Sequence, residues 1–240
     1  FVWPAPGHTL FLNNERSIAI MINEEDHLRL QEVTAGYSID FANSLAEETL
    51  QQLTQHLDFA WDNQFGYLAA SPINIGEGKR YGAMLHVPGI ASNGTLRQEL
   101  LSYLSQQFDV RGLMGETSAG VAAYLQISTT GKDAGLLKQT IRHLIDRETQ
   151  ERVRLPEERV KTSVNNAIDK VQSESGLSLD EATRCVGWLR LGAIWGMFGM
   201  HPRELDALLA LIRFSRHDDD TTNRKRASLT RKYIENTIKW

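Results

Sequence analysis

The stretch SIAIMINEEDHLR, residues 17–29, decides how the chain is read. Its first half, 17–22, is an unbroken apolar and β-branched run, the pattern of a buried strand. Its second half places Glu24, Glu25 and Asp26 side by side at the strand's end, with Arg29 three residues on. Adjacent carboxylates repel, so packing alone gives no reason for the run. One of them facing inward would hold a cationic substrate or accept its proton. A solvated turn or a helix start is the other reading of the same three acids.

Working outward, residues 39–57 carry Phe41, Leu45, Leu50, Leu53 and Leu57 at helical spacing, with Asp40 placed to cap them. Short strands are expected at 66–70, 81–87 and 121–128. Pro88-Gly89 closes the second of these. Residues 96–108 read as an amphipathic helix, 110–120 as a glycine-rich loop, and 133–154 as a long helix. Beyond Pro156 no strand pattern remains, and 157–173, 178–198, 203–214 and 223–238 all read as helices. Ser178 supplies a cap, and Asp180-Glu181 suit the positive end of a helix. The expected class is α+β: an antiparallel sheet flanked by helices, then an all-α domain.

Charge supports that division. Residues 1–150 hold 10 Lys+Arg against 17 Asp+Glu, whereas 151–240 hold 16 against 13. A boundary is therefore placed between domains at 1–154 and 155–240. The formal net charge of −4 speaks against general nucleic-acid binding. No apolar run approaches the roughly 18–20 residues that span a bilayer, and residues 1–7 lack the pattern of a signal peptide. The single cysteine, Cys185, rules out an internal disulfide and fits a reducing, cytoplasmic setting.

There is no Walker loop, no GxGxxG, no HExxH and no Gly-x-Ser-x-Gly elbow. Instead, arginine recurs beside glycine or at strand ends within the acidic half: Arg29, Arg80 and Arg111. Guanidinium offers dense charge and planar, paired donors, so three converging would hold a triphosphate without a P-loop. Taken singly, each also fits a solvated surface position. Glu116, in the glycine-rich loop, is a second candidate carboxylate: two acids around a guanidinium would orient it and take its proton. His86 reads as a packed strand residue and Cys185 as inert. Trp188 and Trp195 read as core, and residues 218–220 as a solvated acidic linker.

NEEDHLR at 23–29 resembles the signature of the guanidino kinases, the family of arginine and creatine kinases and the bacterial protein-arginine kinases. SPINIGEGKR at 71–80 resembles that family's CPTN-x-G-x-x-x-R segment, and RGLMGE at 111–116 its R-G-x-x-G-E segment, in the same order and spacing. The resemblance implies the C-terminal part of a guanidino-kinase catalytic domain. Glu25 would be the catalytic carboxylate and Glu116 the second clamp on the guanidinium. Arg29, Arg80 and Arg111 would bind ATP phosphates, bridged by Mg²⁺.

The helical tail selects the subfamily. WLRLGAIWGMFGM at 188–200 and KRASLTRKYI at 225–234 resemble the phosphoarginine-binding domain of the bacterial protein-arginine kinases. That resemblance implies transfer of the ATP γ-phosphoryl group to arginine side chains of proteins, in cytoplasmic protein quality control. Implied partners are proteins with exposed arginine, an activator or protease-adaptor protein, and a second copy of the chain, with neither nucleic acid nor membrane.

Several positions depart from the family. Ser71 stands where it has an active-site cysteine, and Ile73 where it has threonine. Its R-D-x-x-R-A pattern appears as TNRKRA at 222–227, so phosphoarginine binding would fall to Arg226 and Asn223. Nothing before Asn23 matches its S-x-R-x-R segment, which implies a chain lacking the N-terminal portion. These departures define the alternative, a catalytically degenerate phosphoarginine-binding adaptor.

Overall fold

The computed structural model describes residues 6–15, 17–112, 121–129, 134–213, 215 and 218–237. They form two compact units, Phe1–Tyr81 with Ser128–Gln139, and Gly82–Ile127 with Thr140–Trp240.

In the first unit, β1 (Thr9–Leu12), β2 (Ile18–Ile22) and β3 (Leu28–Glu32) form an antiparallel sheet in the order β1-β2-β3. The apolar run is therefore the central strand, as its composition predicts, but it is half-buried rather than buried. The strand β3 was hidden from sequence reading by its charges. It alternates Leu28 and Leu30 inward with Arg29 and Gln31 outward, the two-residue period of a pleated strand. The turn between β2 and β3 starts at Asn23, with φ of 56°, and closes through its N–H, which donates to the His27 carbonyl at 3.0 Å. Asparagine tolerates that left-handed conformation better than most side chains.

Helix α1 (Ile39–Thr54) follows its apolar spacing. Asp40 is not its cap: Ser38 holds that position without a side-chain capping bond, and Asp40 sits in the first turn, 2.8 Å from Lys138 Nζ. The strand expected at 66–70 is only two residues, β5 (Gly66–Tyr67), paired with β4 (Trp61–Asp62). Tyr67 also exchanges two backbone hydrogen bonds with Gly76, at 2.8 and 3.2 Å, folding the segment back on itself. Gly66 has φ of 80°, and a Cβ there would collide with the Gly76 carbonyl, so the residue must be glycine.

The second sheet has the order β6-β8-β7, from β6 (Gly82–His86), β7 (Asp109–Gly112) and β8 (Tyr124–Ser128). Pro88-Gly89 ends β6 as expected but also opens a short helix, α2 (Pro88–Ser92). Proline suits the first helical position. The Glu148 carboxylate accepts from the Gly89 and Ile90 N–H groups at 3.0 Å each. Helix α3 (Gly94–Ser105) starts at Asn93, whose side chain accepts from the Leu96 N–H.

The remaining helices are α4 (Ala134–Val153), α5 (Glu157–Ser173), α6 (Leu179–Ile194), α7 (Pro202–Ile212) and α8 (Asp220–Thr237). Val160, Val164, Ile168 and Val171 recur at helical spacing and bury one stripe of α5. They pack with Ala182, Cys185, Val186 and Leu189 of α6, and with Leu205, Leu208 and Ile212 of α7. Each leucine so buried contributes about 1.5–3 kcal/mol. Ser178 caps α6 as expected, and Glu181 closes a capping box with it. Cys185 lies in this core, and burial pushes its thiol up to about 11, which agrees with an inert residue.

The acidic linker is not simply solvated. Asp218 Oδ1 accepts from the Leu179 N–H at 2.9 Å and from Arg226 at 3.1 Å. Asp219 holds the first turn of α8 through the Thr222 N–H and hydroxyl.

Candidate functional site

Glu25 and Arg29 share the β2–β3 hairpin. Glu25 is exposed on its turn, and Arg29 stands on the outward face of β3 opposite Met21. Arg29 Nη1 lies 3.1 Å from Glu24 Oε2. The Glu24 side chain is only 6% exposed and that of Arg29 52%, so the acid anchors the arginine from below. The three adjacent acids are thus divided in their work. Glu24 orients Arg29, Glu25 faces solvent, and Asp26 reaches another part of the chain.

Asp26 Oδ1 accepts the Ala70 N–H at 2.7 Å, and Oδ2 lies 3.5 Å from Asn74 Nδ2. The turn carrying Glu25 is thereby fastened to the segment 70–74, which includes Ser71 and the 3-10 turn Pro72–Asn74. That segment leads, through the Gly76 backbone bridge, to Arg80. The Arg80 guanidinium donates to Ser128 Oγ through Nη2 at 2.9 Å and Nε at 3.3 Å. Glu25, Asp26, Arg29 and Arg80 therefore belong to one compact unit.

Arg111 belongs to the second unit. It stands on β7 and meets Asp109 through two contacts, Nε–Oδ1 at 3.1 Å and Nη2–Oδ2 at 2.7 Å. Residues two apart on a strand share a face, so this pair could have been read from the sequence. Glu116 lies outside the described residues. Orienting partners of this kind reduce the rotamer freedom a guanidinium loses when it grips a ligand.

Sequence reasoning missed Asp26 as a separate element of the site. A charge-assisted hydrogen bond of this kind is worth about 1.5–3 kcal/mol. Asp26→Ala is expected to loosen 70–74 and to lower kcat about tenfold or more. Asp26→Asn keeps an oxygen for the Ala70 N–H and should retain most of the rate. Steady-state turnover of both variants, beside their melting curves, checks this. Wild-type turnover by Asp26→Ala would show that the tie positions nothing.

The tail residues are placed differently. Arg226 is fully buried. Its guanidinium donates to the carbonyls of Leu177, Ile212 and Ser215, at 2.9, 3.1 and 3.0 Å, and to Asp218 and Asn223. This geometry makes it a brace between the ends of α6, α7 and α8. Asn223 accepts from Arg226 at 2.7 Å and lines a cleft of about 310 Å³. Glu174, Glu181, Asp220 and Arg224 also line that cleft.

Residues 3–149 match the family model of the ATP:guanido phosphotransferase C-terminal catalytic domain. The chain belongs to the ATP:guanido phosphotransferase family. It is 31% identical over 245 residues to a protein-arginine kinase of Staphylococcus haemolyticus, covering 96% of this chain and 73% of that protein. It is 33% identical over 218 residues to a protein-arginine kinase of Halothermothrix orenii, covering 86% of this chain and 62% of that protein. Among solved structures it resembles the duplicated taurocyamine kinase from Schistosoma mansoni with bound transition state analog components. The TM-score is 0.50 at 22% identity, over 75% of this chain and 26% of that one. That likeness is one of fold alone.

Proposed function

We propose that this chain is the catalytic part of a kinase that transfers the γ-phosphoryl group of ATP to arginine side chains of proteins. The observation that carries the reading is the fastened hairpin: Glu25 on a turn held by Asp26, with Arg29 on the adjoining strand and Arg80 at the end of the tied segment. It is joined by the similarity to protein-arginine kinases along nearly the whole chain.

A guanidinium nitrogen of the substrate attacks the γ-phosphorus, and a new N–P bond forms. The bond from that phosphorus to the β–γ bridging oxygen breaks, and ADP leaves with its electron pair. Glu25 takes the proton released by the nitrogen, while Glu116 holds the guanidinium in line. Arg29, Arg80 and Arg111 neutralise the charge on the transferring group, the main task in phosphoryl transfer.

Among the described residues no three His, Cys, Asp or Glu side chains are gathered so as to hold a metal ion. The site arginines suit phosphate oxygens rather than a metal, so Mg²⁺ would arrive on the nucleotide, adding charge neutralisation there. Among the described residues no helix is long and apolar enough to cross a membrane. A role in cytoplasmic protein quality control, a protease-adaptor or activator partner and a homodimer complete the proposal.

The test is to incubate the full chain with ATP and an unfolded, arginine-bearing protein, then look for acid-labile phosphate by mass spectrometry. Phosphate on arginine is expected. Its absence, or preferential turnover of free arginine, would overturn the reading.

A further inference from the structure

Ala122 and Ala123, which directly follow the segment containing Glu116 and Val121, have φ of 56° and 63°. Two successive non-glycine residues in the left-handed region are costly and persist only where their surroundings hold them. Here the holding groups come from β6 and from the tail helix α6. The Val87 N–H donates to the Ala123 carbonyl at 2.8 Å. His86 hydrogen-bonds the Ala122 backbone. On the other side of the ring, Arg190 Nη1 lies 3.3 Å from His86 Nδ1.

Arginine can only donate, so Nδ1 accepts and the ring proton sits on Nε2. Burial, together with Arg190 and Arg152, pushes His86 down to about 3, so the neutral ring persists at working pH. Arg190 is fixed in turn by Asp206 of α7, with Nε–Oδ1 at 2.7 Å and Nη2–Oδ2 at 3.3 Å. The imidazole also packs on Tyr124, with ring centroids 4.5 Å apart.

Gly187 completes the contact. A Cβ at this position would lie 2.9 Å from Ala122 Cβ and 3.0 Å from the Ala122 carbonyl oxygen, closer than real side chains approach. Helix α6 therefore touches the backbone of Ala122 at a position that lacks a side chain.

We propose that the tail helix α6 is a positioning element for the phosphoryl-transfer site: Gly187, Arg190 and His86 clasp Ala122 and Ala123 and so fix the entry to β8, the strand paired with β7 and its Arg111. This deepens the kinase reading and rests on it. The tail would then control turnover as well as any binding it performs, with Asp206, Arg190 and His86 linking α7 to Ala122.

The experiment pairs Gly187→Ala with Gly187→Ala/Ala122→Gly in the full chain. The added methyl should displace Ala122, lowering kcat about ten- to a hundredfold. Glycine at 122 removes the colliding Cβ and adopts the left-handed region freely, so the double variant should recover most of the rate. Amide hydrogen exchange at 122–125 should rise in the single variant and return in the double, a readout independent of activity.

Unchanged kcat or unchanged exchange in Gly187→Ala would overturn the proposal, as would a double variant that stays as slow as the single one. A wild-type chain that transfers no phosphate, with the exchange pattern intact, would sink the kinase reading and still support the clasp.

Discussion

Glu25→Gln is expected to slow phosphoryl transfer by about 10²- to 10⁴-fold, the range supplied by a positioned general base. The substitution keeps the shape of the side chain and removes its capacity to take a proton. Glu25 is exposed on the β2–β3 turn, so no core packing is lost and the melting temperature should not move. The two neighbouring acids provide the internal contrast. Glu24 holds Arg29 and Asp26 holds Ala70, so changing either should disturb orientation rather than chemistry. Single-turnover transfer at saturating ATP separates these roles. A Glu25→Gln protein within about threefold of wild type would leave general-base catalysis no part in the rate.

The second large effect is on stability. Arg226→Leu is expected to cost about 3–5 kcal/mol, because three carbonyls lose their donor and each unsatisfied buried acceptor costs about 1–3 kcal/mol. The carbonyls of Leu177, Ile212 and Ser215 would lose their donor inside the domain, and Asp218, which also holds the Leu179 N–H at the start of α6, would lose its charged partner. Arg226→Lys should not rescue this, because an ammonium cannot present a planar fork to acceptors from several directions. Chemical denaturation of the two variants measures the effect. A loss under about 1 kcal/mol, the net worth of one ordinary hydrogen bond, would mean that the brace is not needed.

Much of the architecture was legible where local patterns are strong. The apolar run at β2, the spacing of α1 and the stripe of α5 fall where their periodicity places them, and the Ser178–Glu181 capping box is visible in four letters of sequence. Elements that depend on distant partners were not legible. The strand β3 carries the motif's charges, and its alternation is read only once Leu28 and Leu30 are seen facing inward. Helix α6 ends at Ile194, short of the apolar run that suggested a longer helix. Asp218 looked like a solvated acid because its partners, Leu179 and Arg226, reveal themselves only in the fold.

The same limit applies to the site. The order of Glu25, Arg29, Arg80 and Arg111 along the chain is a sequence property. The bond from Asp26 to the Ala70 N–H is not, because a backbone donor 44 residues away leaves no signal in residue type. Charge balance changes near residue 150, whereas packing groups 82–127 with the tail. Composition registers what the surface carries, and packing registers what the interior joins.

The most direct test of the account is a calorimetric titration of ATP into the wild-type chain and into Arg29→Ala, Arg80→Ala and Arg111→Ala. If these three guanidiniums grip one phosphate tail, each loss should weaken binding by about 10- to 100-fold, the equivalent of one charge-assisted contact. Three variants that bind ATP as tightly as wild type would contradict it.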